Sequence, residues 1–131
     1  MVETVRLISP ELRGKILIDA TNDMARDPMH SLDLLRAAAP DSPVYRAFSN
    51  LGWEVFAEPE FNGMASDLFF CGDGAQVQTA VETLIAAIGL RPVFIGGLDQ
   101  ADVIDGLTRL YFSLAMGQGH GRRVGLRMLK T

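Results

Sequence analysis

A single cysteine, Cys71, occurs in 131 residues, so no intrachain disulfide can form and no thiolate metal cluster can be assembled. A reducing, cytoplasmic setting is the expectation. Histidine is almost as scarce. His30 and His120 are remote in sequence, and neither has a cysteine or a paired carboxylate beside it at ligand spacing, so no metal site is expected. No apolar run approaches the roughly 18 residues of a membrane span, and no apolar segment followed by a cleavage site opens the chain. A soluble protein without a membrane partner is expected. Acids are missing after Asp105, whereas Arg109, Arg122, Arg123, Arg127 and Lys130 all follow it. That tail reads as a solvated basic face or as a site for an anionic ligand such as a cofactor phosphate. Elsewhere the two signs are interspersed and the net charge is -4, so nothing calls for nucleic acid or an anionic membrane.

Apolar residues make up 48% of the chain, enough for one sizeable core, and the length predicts a single domain over 1–131. Short apolar runs punctuated by breakers set its organisation. Residues 16 to 18 follow Gly14 and run into Asp19 and the polar Thr21, Asn22 and Asp23, the pattern of a buried strand entering a loop. A second run, 44 to 48, precedes Ser49 and Asn50, and between the two runs residues 31 to 39 read as a helix with Ser31 as N-cap and Pro40 as stop. A third run, 68 to 71, ends at Gly72. Apolar residues at 77, 80, 81, 84, 85 and 88 then mark a helix that Asp73 can cap and Gly89 can end, and 92 to 95 supply a fourth strand. Residues 103, 104, 107, 110, 111, 114 and 115 line one face of a long helix that starts near Asp99 and is broken by Gly117, Gly119 and Gly121. A short amphipathic piece, 124 to 129, ends the chain. The expected fold is α/β: a partial Rossmann-like three-layer α/β/α arrangement on a short, largely parallel sheet of about four strands.

Several of these elements carry recognisable residues. Gly14-Lys15 with Ile18-Asp19-Ala20-Thr21-Asn22 resembles the GK(x)xIDATN element of the NADPH-dependent oxidoreductases that reduce the deazaflavin coenzyme F-420. Arg46 to Gly52 looks like that family's KAFNTLG turn, Phe70-Cys71-Gly72-Asp73 like its YCGD, and Gly89 to Val93 like its GFRPV. The closing helix followed by Gly119, Gly121 and Arg122 is similar to its G-x-GR tail. Order and spacing agree over about residues 14 to 129, which resembles the C-terminal half of a family member. The front end of that family, a strand, a G-x-G-x-x-G/A turn and a helix N-terminus that together hold the cofactor pyrophosphate, has no counterpart in these 131 residues. Gly117, Gly119 and Gly121 follow a helix, so they lack the context of a dinucleotide loop.

The resemblance implies NADP and a deazaflavin or flavin coenzyme as ligands, with hydride passing between them. It implies that Thr21, Asn22, Ser49 and Asn50, at the carboxyl ends of two strands, border the reacting rings. Without it, Asn22 and Asn50 read as Asx-turns that end strands. No catalytic acid, base or nucleophile is assigned, because hydride transfer needs ring alignment instead. Asp67 and Asp73 read as strand-end and capping residues. Cys71, Met64 and Met116 read as core packing. Two outcomes are open: an oxidoreductase-type domain whose activity awaits a chain supplying the phosphate-binding half, or a non-enzymatic assembly module. In the second case the first apolar strand would present a free edge, so a dimer or higher homo-oligomer is expected through that edge, the long helix over 98–117, or both.

Overall fold

A computed structural model describes all 131 residues. Helix α1 (Val2–Leu12) precedes strand β1 (Leu17–Asp19), helix α2 (Leu32–Ala38) and strand β2 (Val44–Arg46). A short helix α3 (Trp53–Ala57) leads to a two-stranded hairpin of β3 (Glu60–Phe61) and β4 (Met64–Ala65). Strand β5 (Asp67–Asp73), helix α4 (Gln78–Ala87), strand β6 (Arg91–Phe94) and helix α5 (Ala101–Phe112) follow, α5 being led by a 3-10 turn (Leu98–Gln100) and continued by a π-helical turn (Ser113–Gly117). The four expected strands form one sheet in the order β1-β2-β5-β6. Two of its three pairings are parallel, β1 with β2 and β5 with β6, and the central pairing of β2 with β5 is antiparallel. The fold is therefore α/β with helices on both faces, as the alternation of apolar runs and helical periods predicts.

Successive residues of a strand point to opposite faces, and each face closes its own core. Tyr45, Leu68 and Phe70 join Val55, Val81 and Ile85 beneath α3 and α4. Leu17, Val44 and Cys71 join Leu32, Ala101 and Ile104 beneath α2 and α5. Each buried valine, leucine, isoleucine or phenylalanine among them contributes roughly 1.5–3 kcal/mol by leaving water. Gly72 is required by the first core, because a Cβ there would overlap the Tyr45 ring. Gly89 ends α4 with φ +92, the left-handed conformation expected of it.

Several expectations are corrected. Ser31 is at the α2 N-cap but makes no side-chain cap bond. Asp73 does not cap α4, which begins later, at Gln78; its Oδ1 instead accepts the Leu98 N–H at 3.3 Å, at the turn that opens α5. Met64 and Met116 are exposed. The final piece, 124 to 129, has no regular structure and is held by specific bonds. Leu126 exchanges hydrogen bonds with Asp67 N–H and Ser66 Oγ, and Met128 N–H donates to Asp67 Oδ2 at 2.7 Å. The basic tail serves the same end: Arg122 pairs with Glu54 at 2.6 Å, and Arg123 lies over the Phe61 ring at 4.4 Å.

Asp67 is the largest correction, since it is fully buried where a solvated strand end was expected. Arg91 bonds both of its oxygens, with Nη2 to Oδ2 at 2.7 Å. Burial pushes the carboxyl up, but the Arg91 hydrogen bonds, the Met128 N–H and the charges of Arg91 and Arg127 outweigh it and hold the group below its ordinary value of 3.8. A depressed carboxyl stabilises the fold in its ionised form. The contribution is thus fully present above the ordinary value and is lost as pH falls below it. Asp67→Asn should cost about 2 kcal/mol at neutral pH and should flatten the acid limb of stability. Urea midpoints from pH 7 to pH 3 check this, and parallel slopes for the two proteins would contradict it.

Candidate functional site

Because β1 and β2 are parallel neighbours, their carboxyl ends lie at one edge of the sheet, where α/β folds place ligands. The loops 20–22 and 48–52 leave from that edge, and the fold brings their polar residues together. Asn22 Nδ2 donates to the Ser49 carbonyl at 2.7 Å, and Thr108 Oγ1 on α5 donates to the same oxygen at 3.1 Å. Neither Asn22 nor Asn50 forms an Asx-turn: Asn22 Oδ1 accepts from Arg46 at 3.1 Å, and Asn50 Nδ2 donates to the Phe69 carbonyl at 3.0 Å.

Beneath these loops lies a charged cluster that the sequence did not reveal. Arg46, the last residue of β2, has no exposed surface and uses all of its donors. Nε and Nη2 reach Asp105 Oδ1 at 3.1 and 2.8 Å, Nη1 reaches the carbonyls of Asp19 and Thr21 at 3.2 and 2.6 Å, and Nη2 also reaches Asn22. The planar fork is what allows one side chain to bridge β1, its loop and α5. Asp19 is equally occupied. Its Oδ1 accepts the N–H and hydroxyl of Thr21 at 2.9 and 2.6 Å, its Oδ2 accepts the Ser31 N–H at 2.6 Å, and Arg46 lies 3.5 Å away. The polar groups of Thr21 and Asn22 are therefore committed to the scaffold, although Thr21 is half-buried and Asn22 exposed.

Ser49 and Asn50 differ. Both are buried, at 2% and 1% exposure, yet Ser49 Oγ and Asn50 Oδ1 have no hydrogen-bond partner. An unpaired buried polar atom costs about 1–3 kcal/mol. The preceding residue adds strain, because Phe48 has φ +64, a left-handed conformation unusual for a bulky side chain. The four residues line none of the main surface depressions, so a flat ring would reach Ser49 and Asn50 only if the 48–52 turn parted from its neighbours.

Three further residues are placed by the fold. Cys71 is buried, and burial raises its thiol to about 11, which leaves it protonated and inert near neutral pH. The amides of His120 and Gly121 donate back to Leu114 and Ala115 carbonyls at 3.2 and 3.1 Å. These bonds close the π-helical turn Ser113–Gly117 that continues α5, and two of the loop's N–H groups are unavailable to a phosphate. His30, expected to stand alone, has carboxylates of Asp102 and Asp105 nearby, with one ligand-type atom from each residue within 4.8 Å of the others.

No protein-family profile and no curated protein matches the sequence. Solved structures do match. A protein of Arthrobacter sp. FB24, named as a candidate F-420-dependent NADP-reductase, superposes with a TM-score of 0.76 at 18% identity over 93% of this chain and 61% of its own. SMa0349, a hypothetical protein of Sinorhizobium meliloti, superposes with a TM-score of 0.63 at 22% identity over 99% of this chain and 63% of its own. These likenesses place the chain in the Rossmann-like α/β class by fold. The chain spans less than two thirds of the length of either protein.

Proposed function

We propose that this chain is the ring-binding part of an NADP-dependent oxidoreductase that passes hydride between NADP(H) and a deazaflavin or flavin coenzyme. It corresponds, in this reading, to the C-terminal half of such an enzyme, whose phosphate-binding turn lies outside these residues. The observation that carries the reading is the Phe48–Asn50 turn: strained backbone and two unpaired buried polar groups at the carboxyl edge of β2. Ser49 Oγ can donate to a ring carbonyl, and Asn50 Oδ1 can accept from a carboxamide or ring N–H. The cluster of Arg46, Asp19 and Asn22 holds the opposing loop rigid, so that a ring docked there keeps a fixed attitude. When bound, a nicotinamide and a deazaflavin or flavin ring would supply the hydride chemistry, and the protein's own task would be alignment and exclusion of water. The Arthrobacter neighbour's name supports this pairing of cofactors.

Titration with NADPH and separately with coenzyme F-420, followed by fluorescence and thermal shift, tests the reading. Saturable binding of either ligand, weakened about tenfold by Asn50→Ala, is expected. No response to either up to millimolar ligand would favour the second reading, a homo-oligomeric assembly module. The observation behind that alternative is β1, an edge strand of the sheet with unpaired backbone groups on its outer side. It requires a dimer or larger species in sedimentation at micromolar concentration, and a monodisperse monomer would exclude it.

A further inference from the structure

We propose that His30, Asp102 and Asp105 form a site for a divalent transition-metal cation. Asp102 and Asp105 are three residues apart on α5 and so share one helical face. His30 comes to that face from the loop ahead of α2, anchored by the Ser31 N–H bond to Asp19. The three donors lie within 4.8 Å of one another. Ligands about 2.0–2.2 Å from a zinc ion stand roughly 3 to 4 Å apart, so modest side-chain adjustment closes the set. Asp102 is exposed and free to make that adjustment.

Charge gives an independent reason. Asp19 and Asp105 are buried, and the one cation bonded to them is Arg46. Two buried carboxylates thus face one guanidinium, which leaves one formal negative charge uncompensated in the interior. Asp102, on the exposed side of Asp105, has no cation of its own within ion-pair distance. Asp105 also has room for it: both bonds from Arg46 go to Oδ1, and Oδ2, on a side chain only 3% exposed, accepts no hydrogen bond from the protein. The His30 ring is held by one long contact, Leu32 N–H to Nδ1 at 3.4 Å, so it can turn to present a nitrogen.

One imidazole nitrogen and two carboxylate oxygens suit zinc, manganese or iron(II) better than metals that favour thiolates. Three protein donors leave a coordination position open. His30 also lines a cleft of about 400 Å³ with Arg26, Pro28 and Asp33, which neither Asp102 nor Asp105 borders. Arg46 bonds Asp105 from behind, fixing the carboxylate while its charge opposes that of the cation, so affinity in the micromolar range is expected.

Calorimetric titration of Zn²⁺ into chelator-stripped protein should show one site per chain. Asp102→Asn, a surface change that spares the fold, should weaken binding at least about tenfold, as should His30→Gln. His120→Gln should leave it unchanged. Co²⁺ in place of Zn²⁺ should give visible bands that His30→Gln removes. Absence of binding, binding indifferent to both site variants, or binding lost with His120→Gln would each overturn the proposal. None of these readouts involves a nicotinamide or deazaflavin, so the site stands or falls apart from the proposed function.

Discussion

Arg46→Met should destabilise the fold by about 3–5 kcal/mol, because it removes the cation bonded to two buried carboxylates and leaves them uncompensated. Methionine has similar bulk, so the loss is electrostatic and not a cavity. The five bonds of Arg46 to Asp105, Asn22 and the Asp19 and Thr21 carbonyls would vanish together, and α5 would lose its polar attachment to the β1 loop. Domain stabilities run from about 5 to 15 kcal/mol, so a loss of this size brings the variant close to unfolding at room temperature. Arg46→Lys should recover only part of it, since an ammonium offers three donors without the planar fork. Urea denaturation of the three proteins checks this. A Met variant within about 1 kcal/mol of the parent would show that the cluster is not what joins β1, β2 and α5.

NADPH and reduced nicotinamide mononucleotide should bind this chain with affinities within about tenfold of each other. In a dinucleotide fold the pyrophosphate rests on backbone N–H groups at a glycine-rich turn and helix N-terminus. Each charge-assisted bond there is worth about 1.5–3 kcal/mol, so two or three of them make the dinucleotide several powers of ten the tighter ligand. The present residues contain no such turn, and His120 and Gly121 spend their amides on the π-helical turn that follows α5. What the chain offers is the ring end. Competition titrations with both ligands read the ratio directly. A preference for NADPH of a thousandfold or more would mean that the chain holds phosphates by means of its own.

Much of the fold was legible because its signals are local. The strands around Ile18, Tyr45, Phe69 and Val93 are apolar runs between breakers, and α4 and α5 show helical periodicity over several turns. Elements with little apolar content were missed. In α1 only Val5 is fully buried, so its period is faint. The β3–β4 hairpin did carry a signal, Asn62-Gly63, whose φ values of 53 and 81 are those of a tight hairpin turn; its two-residue strands were too short to frame it. At the site, Thr21, Asn22, Ser49 and Asn50 could be placed at strand ends from the order of elements. The partnership of Arg46 with Asp105 could not, because 59 residues separate them and no periodicity links a strand end to a distant helix. The same holds for Asp67 with Arg91, and for His30 with Asp102. Polar residues read one at a time look solvated, and only the fold shows which of them must be buried in company.

Backbone amide shifts on adding reduced nicotinamide mononucleotide test the central claim most directly, since they report where a ring sits without requiring turnover. Saturable shifts confined to residues 20–22 and 48–52 and to the part of α5 near Thr108 are expected. Shifts centred anywhere else, or none at millimolar ligand, would contradict that claim.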